Sequence, residues 1–409
     1  MRPHLPYRAP WWLPGGHAQT LYASLAAPRP RIAYRRERWD TPDGDFIDLD
    51  WVEENSGQTT NRGQTTFFPS QGQALEEEKR GLSPVSPLVV LFHGLEGSSR
   101  SHYALVLMAE VARRGWRGVV VHFRGCGGEL NRLPRAYHSG DSAEVDWVLR
   151  RLRPRNHPLF AVGVSLGGNA LLKWLGETGA SAREVVDRAA AVSAPVDLTA
   201  AGNALDHGFN VVYVRHFLAS MKAKSIAKLS RYPGLYDAAR VRAACTLREF
   251  DDLVTAPLHG FRNTDDYWAR ASAKPWLRKV EVPVLMVNAR NDPFLPASAL
   301  PAPHEAAPSV LLEQPPDGGH AGFVSGRFPG HLDWIPGRVL EFFHNAPTTP
   351  PADPHPRPSP PVERGGSSFP SPLGRRGRDE GWRAPLLGQE GSSLVARPSR
   401  ESSSSPRRP

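Results

Sequence analysis

GVSLG at residues 163–167 lies between a strand-like run and a helix-like run. The residues before it, 159–162, form a short apolar run typical of a buried strand, and residues 169–175 have the apolar face of a helix. A serine on so sharp a turn needs small neighbours, and its hydroxyl is left exposed above the sheet. The pattern therefore predicts that Ser165 is a nucleophile.

A serine hydroxyl needs a histidine to take its proton and a carboxylate to orient that histidine. Asp292 follows an apolar strand at 284–288, and His320 lies in a glycine-rich loop after a short strand at 310–313. Each residue also has a structural interpretation, as a turn residue or a solvated loop histidine. The order serine, acid, histidine, each following a strand, favours a catalytic relay.

A fourth element supports this interpretation. The apolar strand 87–92 ends in His93-Gly94-Leu95-Glu96-Gly97. In a hydrolase with this elbow, one oxyanion-hole donor comes from the loop after that early strand, and the other from the residue after the nucleophile. We therefore predict that the backbone N–H groups of Leu95 and Leu166 form the hole. His93 stands in the wrong place in the order to be the base and is predicted to brace its loop.

The chain resembles the YheT-like branch of the α/β-hydrolases, a family of predicted esterases and lipases. The resemblance covers about residues 10–343. It rests on PWWLPGGHAQT at 10–20, HGLEGS at 93–98, FRGCGG at 123–128, YHSG at 137–140 and EFDD at 249–252. It implies that Ser165, Asp292 and His320 occupy the charge-relay positions, with Asn291 where the family often has a second acid.

Alternation of strand and helix indicates an α/β fold with a mostly parallel sheet. We predict an eight-stranded α/β-hydrolase sheet with helices on both faces, whose first two strands are antiparallel edge elements. Residues 1–346 would form this domain. A helical cap is expected at 197–276, where Lys222, Lys224 and Lys228 follow an apolar stretch. The lysines could favour an anionic interface, but an ordinary solvated face is the preferred interpretation.

Two segments have the composition of disordered chain. Residues 53–87 form a long loop insertion with a repeated GQTT, and residues 347–409 form a tail with 14 prolines and with ten arginines against six acidic residues. Such a tail can make weak peripheral contact with an anionic membrane, although a passive solvated tail is favoured. No aromatic and basic pattern indicates nucleic-acid binding, and no obligate protein partner is indicated.

The composition is that of a soluble enzyme. No run approaches the length of a membrane span, the N-terminus lacks the apolar core of a signal peptide, and the only cysteines are Cys126 and Cys245, which suits the cytoplasm. Neither cysteine has the spacing of a metal ligand, so no metal and no cofactor are predicted.

The predicted reaction is acyl transfer from an ester to water through an acyl-enzyme. The resemblance implies a carboxylesterase or an enzyme like a monoacylglycerol lipase. A thioesterase and an acyltransferase remain alternatives on the same relay, although the His-x-x-x-x-Asp motif of many acyltransferases is missing. The alternative from another class is an idle hydrolase fold that serves as a binding scaffold.

Overall fold

A computed structural model describes residues 6–53, 86–154 and 156–345 of the chain. The predicted insertion at 53–87, apart from residues 53, 86 and 87, and the predicted tail at 347–409 lie outside the described residues. The strands are β1 (Tyr34–Asp40), β2 (Phe46–Val52), β3 (Leu88–Phe92), β4 (Arg117–His122), β5 (Leu159–Val164), β6 (Arg188–Val192), β7 (Val284–Val287) and β8 (Val310–Glu313). The α-helices are α1 (Gly16–Leu25), α2 (His102–Arg113), α3 (Ser142–Leu152), α4 (Leu166–Thr178), α5 (Leu198–Leu205), α6 (Val211–Lys228), α7 (Ala238–Ala243), α8 (Leu247–Phe250), α9 (Ala256–Leu258), α10 (Thr264–Ala271) and α11 (Trp334–His344).

The eight strands form one sheet in the order β1-β2-β4-β3-β5-β6-β7-β8. β2 pairs antiparallel with both β1 and β4, and every other neighbouring pair is parallel. The predicted eight-stranded, mostly parallel sheet is confirmed. One detail differs from the prediction: of the first two strands only β1 lies at an edge of the sheet, because β2 is hydrogen-bonded on both sides.

Both faces of the sheet are covered, which explains why its central strands are continuous apolar runs. On β3, alternate residues belong to different cores. Leu88, Val90 and Phe92 pack with α3 and α4, whereas Val89 and Leu91 pack with α2 and α11. The two cores hold the sheet rigid, and the loops at the carboxyl ends of its parallel strands are therefore positioned precisely enough to build a site.

Six helices, α5 to α10, lie between β6 and β7 in the region where the sequence predicts a helical cap. They share an apolar core of their own, which includes Leu205, Val214, Phe250 and Trp268. Between α8 and α9 the backbone forms a π-helical turn at Asp251–Thr255. In the EFDD stretch, Asp251 accepts hydrogen bonds from Thr255 Oγ1 at 2.6 Å and from Trp268 Nε1 at 2.9 Å. The EFDD stretch thus holds Trp268, an aromatic residue of the cap core, in place.

Candidate active site

Ser165 stands at the turn between β5 and α4 with φ 54° and ψ −122°, a backbone conformation that side-chain-bearing residues rarely adopt. The flanking glycines are required by close backbone approaches. A Cβ on Gly163 would lie 2.5 Å from the carbonyl oxygen of Gly167, and a Cβ on Gly167 would lie 2.4 Å from the carbonyl oxygen of Phe92. Glycines therefore occupy the positions where the elbow passes close to β3 and to the start of α4.

The three predicted relay side chains meet. The Ser165 hydroxyl lies 2.9 Å from Nε2 of His320. Nδ1 of His320 lies 2.9 Å and 3.1 Å from the two carboxylate oxygens of Asp292. With Nδ1–H donating to the carboxylate, Nε2 is free to accept the serine proton. The Asp292 side chain is fully buried, and the backbone N–H of Phe294 donates to it at 2.8 Å.

The loop that carries His320 is held by the inner face of α1. Gln19 Oε1 accepts from the N–H of Gly318 at 2.8 Å, and Thr20 Oγ1 accepts from the N–H of His320 at 2.8 Å. A Cβ on Gly16 would lie 1.9 Å from the carbonyl oxygen of Asn291, so α1 also touches the loop of the acid. The role of residues 10–20, which the resemblance alone had marked, is therefore to hold the loops of the histidine and of the acid.

Two more side chains complete this support. Asn291 Oδ1 accepts from the N–H of Gly319 at 2.9 Å, and its Nδ2 donates to Gln19 Oε1 at 3.0 Å. Ser193 Oγ accepts from the N–H of Ala321 at 2.9 Å. The N–H groups of 318 to 321 are therefore each bound by a side chain from elsewhere in the chain. The imidazole is oriented by a network that a local sequence pattern cannot reveal.

Leu95 and Leu166, whose backbone N–H groups are the predicted oxyanion-hole donors, both line the cavity that contains Ser165. In the loop after β3, the N–H groups of Gly94 and Glu96 are bound by Tyr103 and Tyr137, and that of Gly97 by the Gly94 carbonyl. Among the described residues no protein acceptor takes the N–H of Leu95 or that of Leu166. Leu166 is also the first residue of α4, whose N-terminus favours negative charge.

A hydrogen bond from the cap also supports the loop after β3. Glu96 has φ 55°, and its Oε1 accepts from the Tyr137 hydroxyl at 2.8 Å and from Lys224 Nζ at 2.7 Å. Lys224 belongs to α6. The conformation of the residue next to Leu95 therefore depends on contact with the cap.

The lysines of α6 are not all on a solvated face, which corrects the preferred sequence interpretation. Lys228 is buried and its Nζ donates to the carbonyls of Leu133, Pro134 and Arg135. Burial lowers the pKa of Lys228 to about 8. The helical spacing predicted where these lysines lie along α6, but it did not predict that Lys224 and Lys228 contact other parts of the protein.

His93 is fully buried and is bound on both ring nitrogens. Nδ1 lies 2.7 Å from the carbonyl oxygen of Gly94, and Nε2 accepts from the N–H of Phe123 at 3.1 Å. Burial lowers its pKa to about 3, so the ring is neutral near pH 7. The prediction that His93 braces its loop is confirmed.

A cavity of about 150 Å³ opens at Ser165 and runs beneath the cap. Its wall near the serine includes Leu198 and Phe294, and Phe294 stacks on the His320 ring with centroids 4.0 Å apart. The lining residues from the cap are mostly apolar: Ala201, Leu205, Phe217, Met221, Leu247, Phe250, Val254, Leu258 and Trp268. Charged side chains also line the cavity: Glu96, Arg124, Lys224, Lys228 and Asp251. This arrangement suits an apolar chain attached to a reacting carbonyl group.

Within the described residues, no cluster of three or more His, Cys, Asp or Glu side chains is arranged to hold a metal ion. In the same part of the chain, no helix combines the length and the apolar character needed to cross a bilayer.

Residues 87–326 match the family model described as the alpha/beta hydrolase fold. The chain belongs to the α/β-hydrolase family. It is 38% identical to the Escherichia coli protein YheT, named as a candidate esterase, over 80% of this chain and 89% of that protein. The resemblance to the YheT-like branch is therefore confirmed.

Two further relatives carry lipase names. The human phospholipase ABHD3 is 30% identical over 82% of this chain and 77% of its own. A monoacylglycerol lipase of Saccharomyces cerevisiae is 24% identical over 81% of this chain and 80% of its own. The chain is thus a hydrolase whose relatives include esterases and lipases.

Proposed function

We propose that this protein hydrolyses carboxylic esters through an acyl-enzyme formed on Ser165. The observation that carries the proposal is the unbroken chain of contacts from the Ser165 hydroxyl through the His320 ring to Asp292, with 2.9 Å at each of its two links. That chain opens into an apolar cavity, where an ester can reach the hydroxyl.

In the first half-reaction Ser165 Oγ attacks the ester carbonyl carbon while His320 Nε2 accepts the hydroxyl proton. Asp292 holds Nδ1–H and stabilises the imidazolium. Negative charge develops on the carbonyl oxygen, and we assign its stabilisation to the N–H groups of Leu95 and Leu166, each worth about 10²- to 10³-fold in rate. When the tetrahedral intermediate collapses, the C–O bond to the alcohol breaks and His320 returns the proton to the leaving alcohol.

In the second half-reaction water takes the place of the alcohol. His320 accepts a proton from the water as its oxygen attacks the acyl carbon, and the same two N–H groups receive the second oxyanion. The bond to Ser165 then breaks and the proton returns to Oγ. The products are a carboxylic acid and the free enzyme.

The volume of the cavity suggests a short acyl chain. Its volume of about 150 Å³ equals that of an engineered protein cavity that binds benzene. We therefore propose acyl groups of up to about six carbons, on a simple ester or a monoacylglycerol. The names of the relatives support an ester or lipid substrate, and the proposed chain length rests on the cavity alone. Thioesters share the acyl chemistry, but no contact in the cavity favours them over oxygen esters.

We place the reaction in the cytoplasm because the chain has two cysteines, Cys126 and Cys245, and neither forms a disulfide bond.

The test is hydrolysis of p-nitrophenyl butyrate by wild type and by Ser165→Ala. We expect the variant to lose at least about 10³-fold in kcat with its fold intact. Ser220→Ala is the matched control, because Ser220 is exposed on α6 and bonds only to the Phe217 carbonyl. Turnover by Ser165→Ala at the wild-type rate would eliminate the proposal, as would an inactive but folded wild type tested on esters of graded length.

A further inference from the structure

Exposed apolar side chains are concentrated in one region of the described structure. Large apolar residues with exposed side chains are Trp11, Leu25, Phe209, Val212, Leu311 and Phe328. All but Leu311 come from three segments: the loop and helix at 11–25, residues 209–212 at and just before the start of α6, and the loop at 326–330. The first segment contacts each of the other two. Trp11 is 90% exposed, Leu25 77% and Phe328 73%.

The contacts around α1 join these residues into one surface. The Trp12 ring packs against Tyr22 on α1 at 5.1 Å and against Phe328 at 5.4 Å. On the other side of the helix, His17 packs against Phe209 at 4.9 Å. Leu25 lies two turns from His17 on the same face of α1. We call the set Trp11, Trp12, His17, Leu21, Tyr22, Leu25, Phe209, Val212 and Phe328, which lies on and beside the outer face of α1, the α1 surface.

The opposite face of α1 supports the site, because Gln19, Thr20 and Ala23 are buried there and the first two bind the His320 loop. A surface helix normally has its polar residues outside and its apolar residues inside. Here the inward polar groups hold a loop, and Leu25 faces solvent. An exposed apolar patch of this kind marks a binding surface.

The charge around the α1 surface is mainly positive. Residues 6–33, 207–236 and 318–332 contain no aspartate or glutamate, although the whole chain has 41, and the second and third segments are each flanked by two aspartates, Asp206 and Asp237, and Asp317 and Asp333. Six exposed arginines come from these segments: Arg8, Arg29, Arg31, Arg215, Arg231 and Arg327. Within the described residues none of the six forms an ion pair with a carboxylate. An apolar patch with tryptophan and surrounding arginines matches the headgroup region of an anionic bilayer.

We propose that the α1 surface docks on an anionic phospholipid bilayer. Trp11, Leu25 and Phe328 enter the headgroup region while the arginines contact lipid phosphates. The docked face lies on the same helix that holds His320, so the site is brought within roughly one helix diameter, about 10 Å, of the lipid. The docking itself is independent of catalysis, but its purpose, access to lipid esters, rests on the proposed function. The site differs from the arginine-rich tail considered in the sequence analysis.

Docking is tested by flotation of the full-length chain with vesicles of phosphatidylcholine, with and without phosphatidylglycerol. Ser165→Ala serves as the parent, so that lipid is not consumed and the result does not depend on hydrolysis. The test variant adds Trp11→Ser, Leu25→Ser and Phe328→Ser. These side chains are exposed, and circular dichroism checks that the fold is kept. The matched control adds Leu311→Ser, because Leu311 is an exposed large apolar residue that lies outside the α1 surface, on strand β8.

We expect the parent and the Leu311 control to float with anionic vesicles, and the triple variant to partition at least about tenfold less. Added salt should weaken the binding of the parent. A parent that fails to float would overturn the proposal. So would a triple variant that floats like the parent, since the tail or the lysines would then carry the binding. A parent that dimerises without lipid, while the triple variant stays monomeric and neither floats, would assign the surface to a second copy of the chain instead.

Discussion

Thr20 provides the sharpest test of how the site is held. Its Oγ1 accepts the N–H of His320 at 2.8 Å and donates to the carbonyl of Gly16 at 2.7 Å. Thr20→Val keeps the shape of the side chain but removes the acceptor. The N–H of His320 is then buried without a partner, which costs about 1–3 kcal/mol.

This cost appears in one of two measurable quantities. If the loop stays in place, the free energy of unfolding falls by about 1–3 kcal/mol. If the loop moves so that the N–H reaches water, the His320 ring shifts away from Ser165, and the same energy corresponds to a loss of about 5- to 150-fold in kcat/KM. Urea unfolding and hydrolysis of p-nitrophenyl butyrate measure the two quantities on the same preparation.

Thr20→Ser is the matched control, because it keeps the hydroxyl and should restore most of the activity or stability. The reasoning is refuted if Thr20→Val equals wild type in both the unfolding free energy and kcat/KM. It is also refuted if Thr20→Ser is as impaired as Thr20→Val, because the effect would then come from packing.

Three further outcomes are expected. Lys224→Met removes the contact between the cap and Glu96 and should lower kcat about tenfold with little change in KM. Lys222→Met, on the same helix, should leave both constants unchanged. Equal effects of the two substitutions in steady-state assays would contradict this expectation. Ala201→Leu fills the apolar cavity and should lower kcat/KM for hexanoate relative to acetate esters by about tenfold or more, and an unchanged ratio would show that the acyl chain lies elsewhere. Burial raises the pKa of Asp251 to about 6 in the folded protein, above its unfolded value of 3.8. The folded state therefore binds the Asp251 proton more tightly than the unfolded state. The stability that this provides is fully present below about pH 4 and is lost as the pH rises through 6. Asp251→Asn should remove that fall from urea midpoints measured between pH 4 and 7, and parallel pH curves for variant and wild type would count against it.

The sequence predicted the parts of the fold and site that depend on local pattern. Apolar runs located the strands, glycine spacing located the elbow, and chain order selected Asp292 and His320 from many acids and histidines. The glycine contacts at 163 and 167 show why that pattern is reliable, since a side chain at either position would collide with backbone.

What the sequence could not predict depends on contacts between distant residues. Thr20 and His320 are 300 positions apart, and nothing in either neighbourhood indicates the bond between them. The tie from Lys224 to Glu96 spans 128 positions, and its helix gives no sign that this lysine points inward. Such contacts depend on how α1 and the cap pack against the sheet, and the local sequence does not specify that packing.

The most direct test of the central claim is labelling of the native protein with a fluorophosphonate, followed by peptide mass spectrometry. The probe forms a covalent bond only with a serine activated by its neighbours. We predict a single label on Ser165, greatly slowed in His320→Ala and lost in Ser165→Ala. A folded protein that hydrolyses esters but carries the label on another residue, or carries no label, would contradict the account.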